Sequence, residues 1–391
     1  MKQSKLVPKL RFKGFNEEYE IYDLGSLVHE ITPGKTSSKQ IYNSGEYPVH
    51  DSKGITGYNT FHDFDGDFIL LGRNRGDFPS LNKVNGKFCV DRKTLILKPI
   101  KLIDINYLFY YLQSRNFSIP LHDFPYLVIN PNQLKKIKFT FPSINEQKMI
   151  SKFFTAIDNK INLLNKKHRE YIEFKKYFTQ EIFSEKIKFD GYDDWITVTL
   201  DQLFDEFIDF SSITDFKSIK KNFHDLKNPN YDQLIEILGV KNKYNNHKNF
   251  FVDKTHVWKF NLNNNGIILL NIDENIGELY FLMPQILPFP VKYANRLMLR
   301  SNNNIIFKYY LLSTDYFKIQ LNNFYKSNGR IKINKRLKKI KINIPQSIEE
   351  QQRITLFFMR IDDKLNLIQQ NINNLKQFKD GALHQTFVNL R

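Results

Sequence analysis

EQKMISKFFTAIDNKINLL, residues Glu146–Leu164, is matched later in the chain by EQQRITLFFMRIDDKLNLI, residues Glu350–Ile368. Position n of the first stretch corresponds to position n+204 of the second, and at least nine of the nineteen residues are identical. Chance does not produce so many identities at one fixed offset. The chain is therefore two copies of one unit. Its function should accordingly require two related parts.

The two copies also open and close alike. Residues 11–15 (RFKGF) resemble residues 188–192 (KFDGY), and residues 134–142 (LKKIKFTFP) match residues 337–345 (LKKIKINIP). Three further positions correspond: Tyr19, Leu24 and Leu27 with Trp195, Leu200 and Leu203. Between these ends, roughly at 36–125 and 207–325, the sequence shows no convincing alignment. The beginning and the end of the unit are therefore repeated, whereas the sequence between them differs.

Length and charge narrow the class of protein. At 391 residues the chain can hold two or three domains, and two copies of about 200 residues fit that size. The 58 Lys and Arg residues outnumber the 41 Asp and Glu residues, which gives a net charge of +17. An excess of this size favours a polyanionic partner, nucleic acid before membrane.

The chain shows no signal for export or for a structural metal. It has no apolar stretch of membrane-spanning length, and its first residues lack the apolar core of a signal peptide, so we expect a cytoplasmic protein. Cys89 is the single cysteine, which excludes an internal disulfide and leaves no cysteine pair for zinc.

Apolar periodicity predicts strands in the domains. The closing runs at 134–142 and 337–345 alternate apolar and polar residues and end at a proline, as a half-buried strand does. Residues 67–72, 93–99 and 266–271 also read as strands, with turns at 51–54 and at Asn85-Gly86.

The repeated stretches predict long helices. Residues 146–185 and 350–387 contain no proline, and only Gly381 interrupts them. Apolar residues recur in a heptad pattern over four to five heptads, which indicates a coiled-coil seam about 50 to 60 Å long. The seam residues are Ile150, Phe154, Ile157, Ile161 and Leu164 in the first helix, and Ile354, Phe358, Ile361, Leu365 and Ile368 in the second.

These elements predict an α+β fold of two pseudo-symmetric repeats. Each repeat would be a strand-rich mixed α/β domain followed by a long helix, and the two helices would pair as an antiparallel coiled coil with the domains at opposite ends. The predicted segments are 1–142, 143–186, 187–345 and 346–391. An identical chain could also supply the partner helix, and the helical pair could be a scaffold alone.

The positive charge concentrates in the two domains. Residues 1–142 carry +6 and residues 187–345 carry +7, whereas the helical segments carry +3 and +1. Basic residues in loops near aromatic or amide side chains suit phosphate and base contacts. The candidates for DNA contact are Lys35, Lys39, Lys53, Tyr58, Arg73, Asn74 and Arg75, then Lys241, Lys243, Lys326, Asn328, Arg330 and Lys332. Ordinary solvated surface charge is the alternative for each.

The sequence lacks the usual catalytic motifs. Pro33-Gly34-Lys35-Thr36 misses the upstream glycine of a phosphate-binding loop and is better read as a turn. Asn130-Pro131-Asn132 lacks the second proline and aromatic residue of an amino-methyltransferase motif. Glu173-Phe174-Lys175 has a nuclease-like spacing but lies on a predicted coiled-coil helix. We therefore expect a binding protein without catalytic residues, metal or cofactor of its own.

The doubled block resembles the specificity subunit of type I restriction-modification enzymes. A strand ends in Phe-Pro or Ile-Pro and is followed by Glu-Gln, Phe-Phe and Ile-Asp, at 142–161 and again at 345–365. Residues 47–58 (YPVHDSKGITGY) and 70–73 (LLGR) are also similar. The resemblance spans the chain, although Gly381 and Ala382 should loosen the end of the second helix and 207–260 matches no motif.

The resemblance implies that DNA recognition and catalysis belong to different subunits of one complex. Each differing middle would be a target recognition domain that reads one half of a split, asymmetric DNA site, and the helices would fix the gap. Two methyltransferase subunits would modify adenine N6 with S-adenosylmethionine, and two motor-nuclease restriction subunits would use ATP and Mg²⁺. A free-standing two-domain nucleic-acid-binding protein without enzyme partners is the alternative. A fused enzyme is disfavoured because no residues remain for a catalytic domain.

Overall fold

Two compact units make up the chain. Met1–Lys167 and Ile368–Arg391 form the first unit, and His168–Leu367 form the second. Each unit therefore holds part of both long helices, whereas the predicted segments kept each helix separate. The computed structural model describes residues 6–72, 80–114, 130–189, 194–209, 234–236, 249–251, 267–271, 279–282, 296–301, 303–328 and 337–388.

The first unit combines two four-stranded sheets with a strand pair. Its strands are β1 (Glu20–Asp23), β2 (Val28–Pro33), β3 (Tyr47–His50), β4 (Ile55–Asn59), β5 (Phe64–Asp65), β6 (Phe68–Gly72), β7 (Leu81–Val84), β8 (Lys87–Val90), β9 (Thr94–Pro99) and β10 (Lys138–Phe141). The sheets have the orders β2-β9-β6-β7 and β4-β3-β8-β5, and β1 pairs with β10. The short helices are α1 (Leu24–Leu27), α2 (Ile105–Ser114) and α3 (Pro131–Lys135).

Buried apolar runs build the core of this unit. Every residue of β6 is buried, and so are the first four residues of β9, as expected for central strands that are covered on both faces. The strands predicted at 67–72 and 93–99 are confirmed, and so is the turn at Asn85-Gly86, where Gly86 has a φ of 91°. Beside these strands, Phe68 packs edge to face against Phe64 and Phe88, which stack on each other.

The second unit is described in part. Its strands are β11 (Trp195–Thr199), β12 (Glu206–Asp209), β13 (Leu234–Glu236), β14 (Asn249–Phe251), β15 (Ile267–Asn271), β16 (Leu279–Leu282), β17 (Arg296–Arg300) and β18 (Lys341–Pro345). A sheet of order β12-β17-β15-β16 accompanies the pairs β13-β14 and β11-β18. The short helices are α5 (Leu200–Leu203), α6 (Ile305–Leu312) and α7 (Asp315–Asn328), where α4 denotes the first long helix.

The closing strands pair with the opening strands in both units. In β18, Ile342 and Ile344 are buried while Lys341 and Asn343 are exposed, which confirms the predicted alternation. In β10 the alternation fails at Thr140, which is fully buried. Its hydroxyl donates to the Val388 carbonyl at 3.2 Å, so a hydrogen bond satisfies this buried polar side chain.

Both predicted long helices are present. The first, α4, spans Ile144–Phe183, and the second, α8, spans Ile348–Thr386. The expectation that Gly381 and Ala382 loosen the end of α8 is wrong, because the helix continues through both residues. Ala382 is buried, and the side chains around it hold the last turns together.

The heptad residues lie on the covered face of each helix. Eight of the ten seam residues are buried, whereas Leu164 and Leu365 are half-buried. Within the first unit, Phe154 of α4 stacks on Phe387, which follows α8, with 5.9 Å between ring centroids. Within the second, Phe178 of α4 lies 5.4 Å from Phe357 of α8. In the first unit Asp158, further along α4, contacts Lys379, and in the second unit Lys175, earlier along α4, contacts Asp362. Within each unit, higher residue numbers in α4 therefore meet lower numbers in or just after α8, so the helical segments pair antiparallel in each unit.

A lysine replaces a leucine in the core of the second unit. Lys308 on α6 is 6% exposed, and its ammonium group donates to the Leu203 carbonyl, the Ser301 hydroxyl and the Asn303 amide oxygen. Burial lowers the pKa of Lys308 to about 8, while the nearby Asp205 carboxylate acts in the opposite direction. At the matched position of the first unit, α2 carries the buried Leu108.

We expect Ile157→Asp and Ile361→Asp to unfold the helical pairs, because each places an unpaired carboxylate among buried side chains. The loss should be roughly 3 kcal/mol or more of unfolding free energy. Leu163→Asp and Leu367→Asp are matched controls on the same helices, since these residues are 60% and 50% exposed. Thermal unfolding should separate the two pairs of variants, and equal melting temperatures would contradict the seam.

Lys308 should make the second unit more stable as pH rises. Between the folded pKa of about 8 and the ordinary value of 10.5, the unfolded chain holds a proton that the folded chain has released, so the free energy of unfolding increases with pH. Relative to Lys308→Leu, the gain should be on the order of 1 to 2 kcal/mol between about pH 7.5 and 10.

Urea unfolding followed by tryptophan fluorescence measures this effect. Both tryptophans of the chain fall between residues 168 and 367, so their signal reports on the second unit. The Lys308→Leu variant, which carries the residue that Leu108 provides in the first unit, is the reference. An identical pH dependence in both proteins would show that Lys308 does not titrate in this range.

Candidate nucleic-acid interface and docking surfaces

Four of the predicted DNA-contact residues belong to the part of the chain that the structure describes: Lys35, Lys39, Lys53 and Tyr58. The structure brings all four into the first unit, along the chain from the end of β2 to the end of β4. Arg73, Asn74, Arg75, Lys241, Lys243, Arg330 and Lys332 lie outside the described residues, and for Lys326 and Asn328 only the backbone of α7 is described.

The turn predicted around Lys35 is wrong: Gly34 and Lys35 have irregular backbone after β2, and Thr36 forms a parallel bridge with Asp91. A side chain at Gly34 would lie 2.2 Å from the Asp91 carbonyl oxygen, so only glycine permits this close approach of two backbones. The Lys35 ammonium group lies 5.3 Å from the centroid of the Phe64 ring, a cation–π contact. Lys39 is exposed on a single 3₁₀ turn that the Ser37 and Gln40 side chains cap.

Lys53 projects from the turn between β3 and β4. The Asp51 carboxylate accepts the backbone N–H groups of Lys53 and Gly54 at 2.6 and 2.8 Å, which fixes the turn. Gly54 has a φ of 150°, where a side chain would be strained. The turn therefore holds the exposed Lys53 at the tip of the hairpin.

Tyr42 and Tyr58 form a cross-strand pair on the outer side of β4. Their backbones exchange two hydrogen bonds of 3.0 and 2.9 Å, and the side chains are 53% and 36% exposed. A side chain at Gly57 would lie 2.7 Å from the Tyr42 carbonyl oxygen, so this glycine lets the segment lie against β4. We call the two tyrosines the tyrosine edge; Ile55 and Phe61, which are close to Tyr58 in the sequence, are exposed too.

The tyrosine edge has the composition of a base-contacting surface. Aromatic faces stack or wedge against bases, hydroxyl groups can donate and accept, and Lys39 and Lys53 supply positive charge nearby. Tyr58 is among the residues predicted to contact DNA, whereas its neighbour Tyr42 is not. The available signal was the pair of glycines, Gly45 and Gly57, since both allow close backbone contact.

The repeated Ile-Asp dipeptides make the same contacts in both units. In the first unit, Asp158 accepts the Tyr110 hydroxyl at 2.8 Å and the Lys379 ammonium group at 2.6 Å. In the second, Asp362 accepts the Tyr310 hydroxyl at 2.7 Å. Its other partner is the Lys175 ammonium group at 2.5 Å. Each lysine also lies 5.1 Å from the ring of the tyrosine that shares its aspartate.

These contacts, which we call the Asp–Lys–Tyr clusters, join three helices in each unit. The aspartate and the lysine come from the two long helices, and the tyrosine comes from α2 or α6. Burial raises the pKa of Tyr110 and of Tyr310, so both hydroxyls stay protonated and act as donors. The long helices are thereby fixed to the domain that precedes each of them.

The repeated glutamines extend this correspondence. Gln147 donates to the Pro142 carbonyl at 3.0 Å and accepts the backbone N–H of Asp104 at 3.0 Å. Gln351 donates to the Pro345 carbonyl at 2.9 Å and accepts the Asn304 amide at 2.9 Å. Because Asp104 and Asn304 precede α2 and α6, these helices are equivalent, although the sequence showed no alignment there.

The repeated glutamates differ between the units. Arg11 makes two hydrogen bonds of 2.8 Å to the Glu146 carboxylate, and the Tyr19 hydroxyl adds a third at 3.0 Å. Such a bidentate pair satisfies a buried charge. Glu350 instead receives one bond of 3.2 Å from the Trp195 indole, and its Oε2 is buried without a partner among the described residues. Burial accordingly raises the pKa of Glu350.

Aromatic rings line the long helices in both units. In the first, Phe153 contacts Phe12 and Phe378 with centroid distances of 5.7 and 6.2 Å. In the second, Phe357 lies 6.5 Å from Phe174. Phe174 and Phe378 occupy matched positions and are 44% and 55% exposed. Each unit therefore presents an aromatic surface that is formed by matched positions of the repeat.

An open groove adjoins the aromatic surface of the second unit. Its volume is about 820 Å³. Tyr171, Phe189, Leu356, Phe357 and Ile361 supply its apolar lining, and Arg353, Arg360 and Lys364 supply positive charge.

Other kinds of site are not found in the described ranges. Among these residues no group of three or more His, Cys, Asp or Glu side chains could hold a metal ion. Cys89 is buried and unpaired with any other cysteine. Within the same ranges, no helix combines the length and the apolar character that crossing a membrane requires.

Comparison with known proteins identifies the family. The type I restriction modification DNA specificity domain matches residues 16–173 and 192–377. The crystal structure of a type I restriction-modification system S subunit from M. genitalium is similar, with a TM-score of 0.61 and 16% identity over 98% of this chain and 100% of that one. No curated protein sequence matches this chain.

A second solved structure, concerned with complex assembly and conformational transition of the type I R-M system, has a TM-score of 0.52 and 13% identity over 96% of this chain and 99% of that one. At these identities the structures show a shared fold, and the domain match covers both repeats. The chain belongs to the family of type I restriction-modification DNA specificity proteins.

Proposed function

We propose that this chain is the DNA sequence-specificity subunit of a type I restriction-modification complex. It recognises a bipartite, asymmetric site, one half with each recognition domain, and it holds the methyltransferase and restriction subunits together. The observation that carries the proposal is the doubling: the Asp–Lys–Tyr clusters and closing strands are the same in both units, while the domains that they hold differ.

DNA contact is assigned to the domains because of their charge and exposed surfaces. The two domain segments carry +6 and +7 of the net +17. In the first domain, the tyrosine edge offers aromatic rings and hydroxyl groups to base edges, and Lys39 and Lys53 suit phosphates. Two domains on one chain bind one duplex bivalently, so each half-site raises the effective concentration at the other.

Partner binding is assigned to the helices. Two equivalent aromatic surfaces, around Phe153 and around Phe357, suit two copies of one partner. We assign these copies to methyltransferase subunits that transfer a methyl group from S-adenosylmethionine to adenine N6. Two restriction subunits would add ATP- and Mg²⁺-dependent cleavage. This chain then needs no catalytic residue or cofactor of its own.

Exchange of residues 36–125 for those of another specificity subunit should change one half of the recognised sequence and leave the other half intact. The reason is that each domain reads its half-site independently. Mapping of methylated adenines in host DNA measures both halves at once. A change in both halves would contradict independent reading, and unchanged methylation would contradict DNA recognition by this domain.

The purified chain alone should bind DNA weakly, and addition of methyltransferase subunits should give sequence-selective binding. Affinity should fall as salt rises, because phosphate contacts release counterions. Fluorescence anisotropy with specific and scrambled duplexes measures both effects. Tight, selective binding by the chain alone would instead support a free-standing two-domain DNA-binding protein.

A further inference from the structure

Two buried glutamates join the opening segment of each unit to its long helix. Glu146 and Glu350 are 1% and 2% exposed and occupy matched positions of the repeat. Each lies in the first turn of its helix, where the helix dipole favours a negative charge equally in both units. A difference between the two glutamates must therefore come from the side chains around them.

The first unit neutralises its glutamate permanently. The Arg11 guanidinium makes two hydrogen bonds to Glu146, and the Tyr19 hydroxyl makes a third. An arginine does not lose its proton in a protein, so Glu146 keeps a positive partner at every pH at which the chain is folded. This carboxylate can therefore stay buried and ionised.

The second unit has a lysine in place of this arginine, because residues 188–192 repeat residues 11–15. The Lys188 ammonium group lies 3.8 Å from the Glu185 carboxylate and 3.6 Å from the Asp194 carboxylate, and its side chain is 50% exposed. Within the described residues, no ion pair or hydrogen bond joins Lys188 to Glu350. Lys188 is thus a neighbouring charge for Glu350 and does not replace the bidentate pair of the first unit.

The carboxyl group of Glu350 has one partner among the described residues. The Trp195 indole on β11 donates to Oε1 at 3.2 Å, whereas Oε2 is buried without a partner in the described ranges. Burial raises the pKa of Glu350, and the Glu185 carboxylate on the turn after α4 acts in the same direction. The Trp195 hydrogen bond and Lys188 act against this rise. A protonated carboxyl group therefore suits this buried position better than an ionised one.

We propose that Glu350 is a proton-controlled latch that holds the second domain to the start of α8. With its proton, the carboxyl group stays buried and accepts the Trp195 indole. After it releases the proton to water, the carboxylate turns toward Lys188 and the solvent, and β11 loses its hydrogen bond to α8. The Arg11–Glu146 pair of the first unit does not open in this way. The latch is a property of the fold, whether or not the chain recognises DNA.

Trp195 itself reports the state of the latch. Trp258→Phe leaves Trp195 as the single tryptophan of the chain, and its emission should change with the charge of the carboxyl group that it contacts. With the whole chain, we expect a reversible fluorescence change whose midpoint lies above the ordinary pKa of 4.5. In the same background, Glu350→Gln keeps an acceptor for the indole but cannot ionise, so it should abolish this change. A midpoint at or below the ordinary value, or the same change in Glu350→Gln, would overturn the proposal.

The latch also predicts how stability depends on pH. A raised pKa stabilises the folded chain fully below the ordinary value of 4.5, and this contribution is lost as the pH rises through the folded-state pKa. The melting temperature of the unaltered chain should therefore fall relative to that of Glu350→Gln between about pH 5 and pH 7. A constant difference between the two melting temperatures over this range would count against the latch.

Lys188→Arg tests the comparison between the units, because it gives the second unit the residue of the first. The arginine should form the bidentate pair with Glu350, lower the midpoint of the fluorescence change and raise the melting temperature at neutral pH by roughly 2 to 8 °C. Lys186→Arg, on an exposed side chain two residues earlier, is the matched control and should change neither quantity.

The outcomes separate the latch from the proposed function. If Lys188→Arg behaves like Lys186→Arg, the missing arginine does not distinguish the two units, and the latch is overturned. None of these measurements uses DNA or a partner subunit. A failed latch therefore leaves the proposed function standing, and a failed function leaves the latch standing.

Discussion

The structure depends most on the Asp–Lys–Tyr clusters. A partly buried carboxylate is unfavourable unless charge and hydrogen bonds compensate it, and here one lysine and one tyrosine do so at once. Because the three residues come from three helices, the same interaction sets the register of the long helices and attaches a recognition domain to them. Because this interaction recurs in both units, the remaining sequence of the two domains can differ.

The frame of the fold could be predicted from the sequence because it is periodic and repeated. The heptads of α4 and α8, the closing strand β18 and the buried runs in β6 and β9 each carry a local signal that agrees with their environment. The equivalence of α2 and α6 could not be predicted, because it rests on contacts between distant residues. Asp104 and Asn304 differ in type yet bond to the same repeated glutamine.

The candidate site was predicted less well, for a physical reason. A basic residue has the same sequence signature whether it contacts phosphate, stacks on a ring as Lys35 does, or is buried as Lys308 is. The tyrosine edge depends on close backbone approach at Gly57, which joins residues on different strands. Charge therefore indicates the two domains as a whole, and only the fold could distinguish among their basic residues.

The Asp–Lys–Tyr clusters cross between the two copies of the repeat. Asp158 belongs to the first copy and its Lys379 to the second, whereas Asp362 belongs to the second and its Lys175 to the first. Neither half of the chain can neutralise its own aspartate. Two identical halves could do so for each other, since each would contribute one aspartate and one lysine. A chain cut to one copy would then pair with a second copy of itself, and the same two clusters would hold that dimer together.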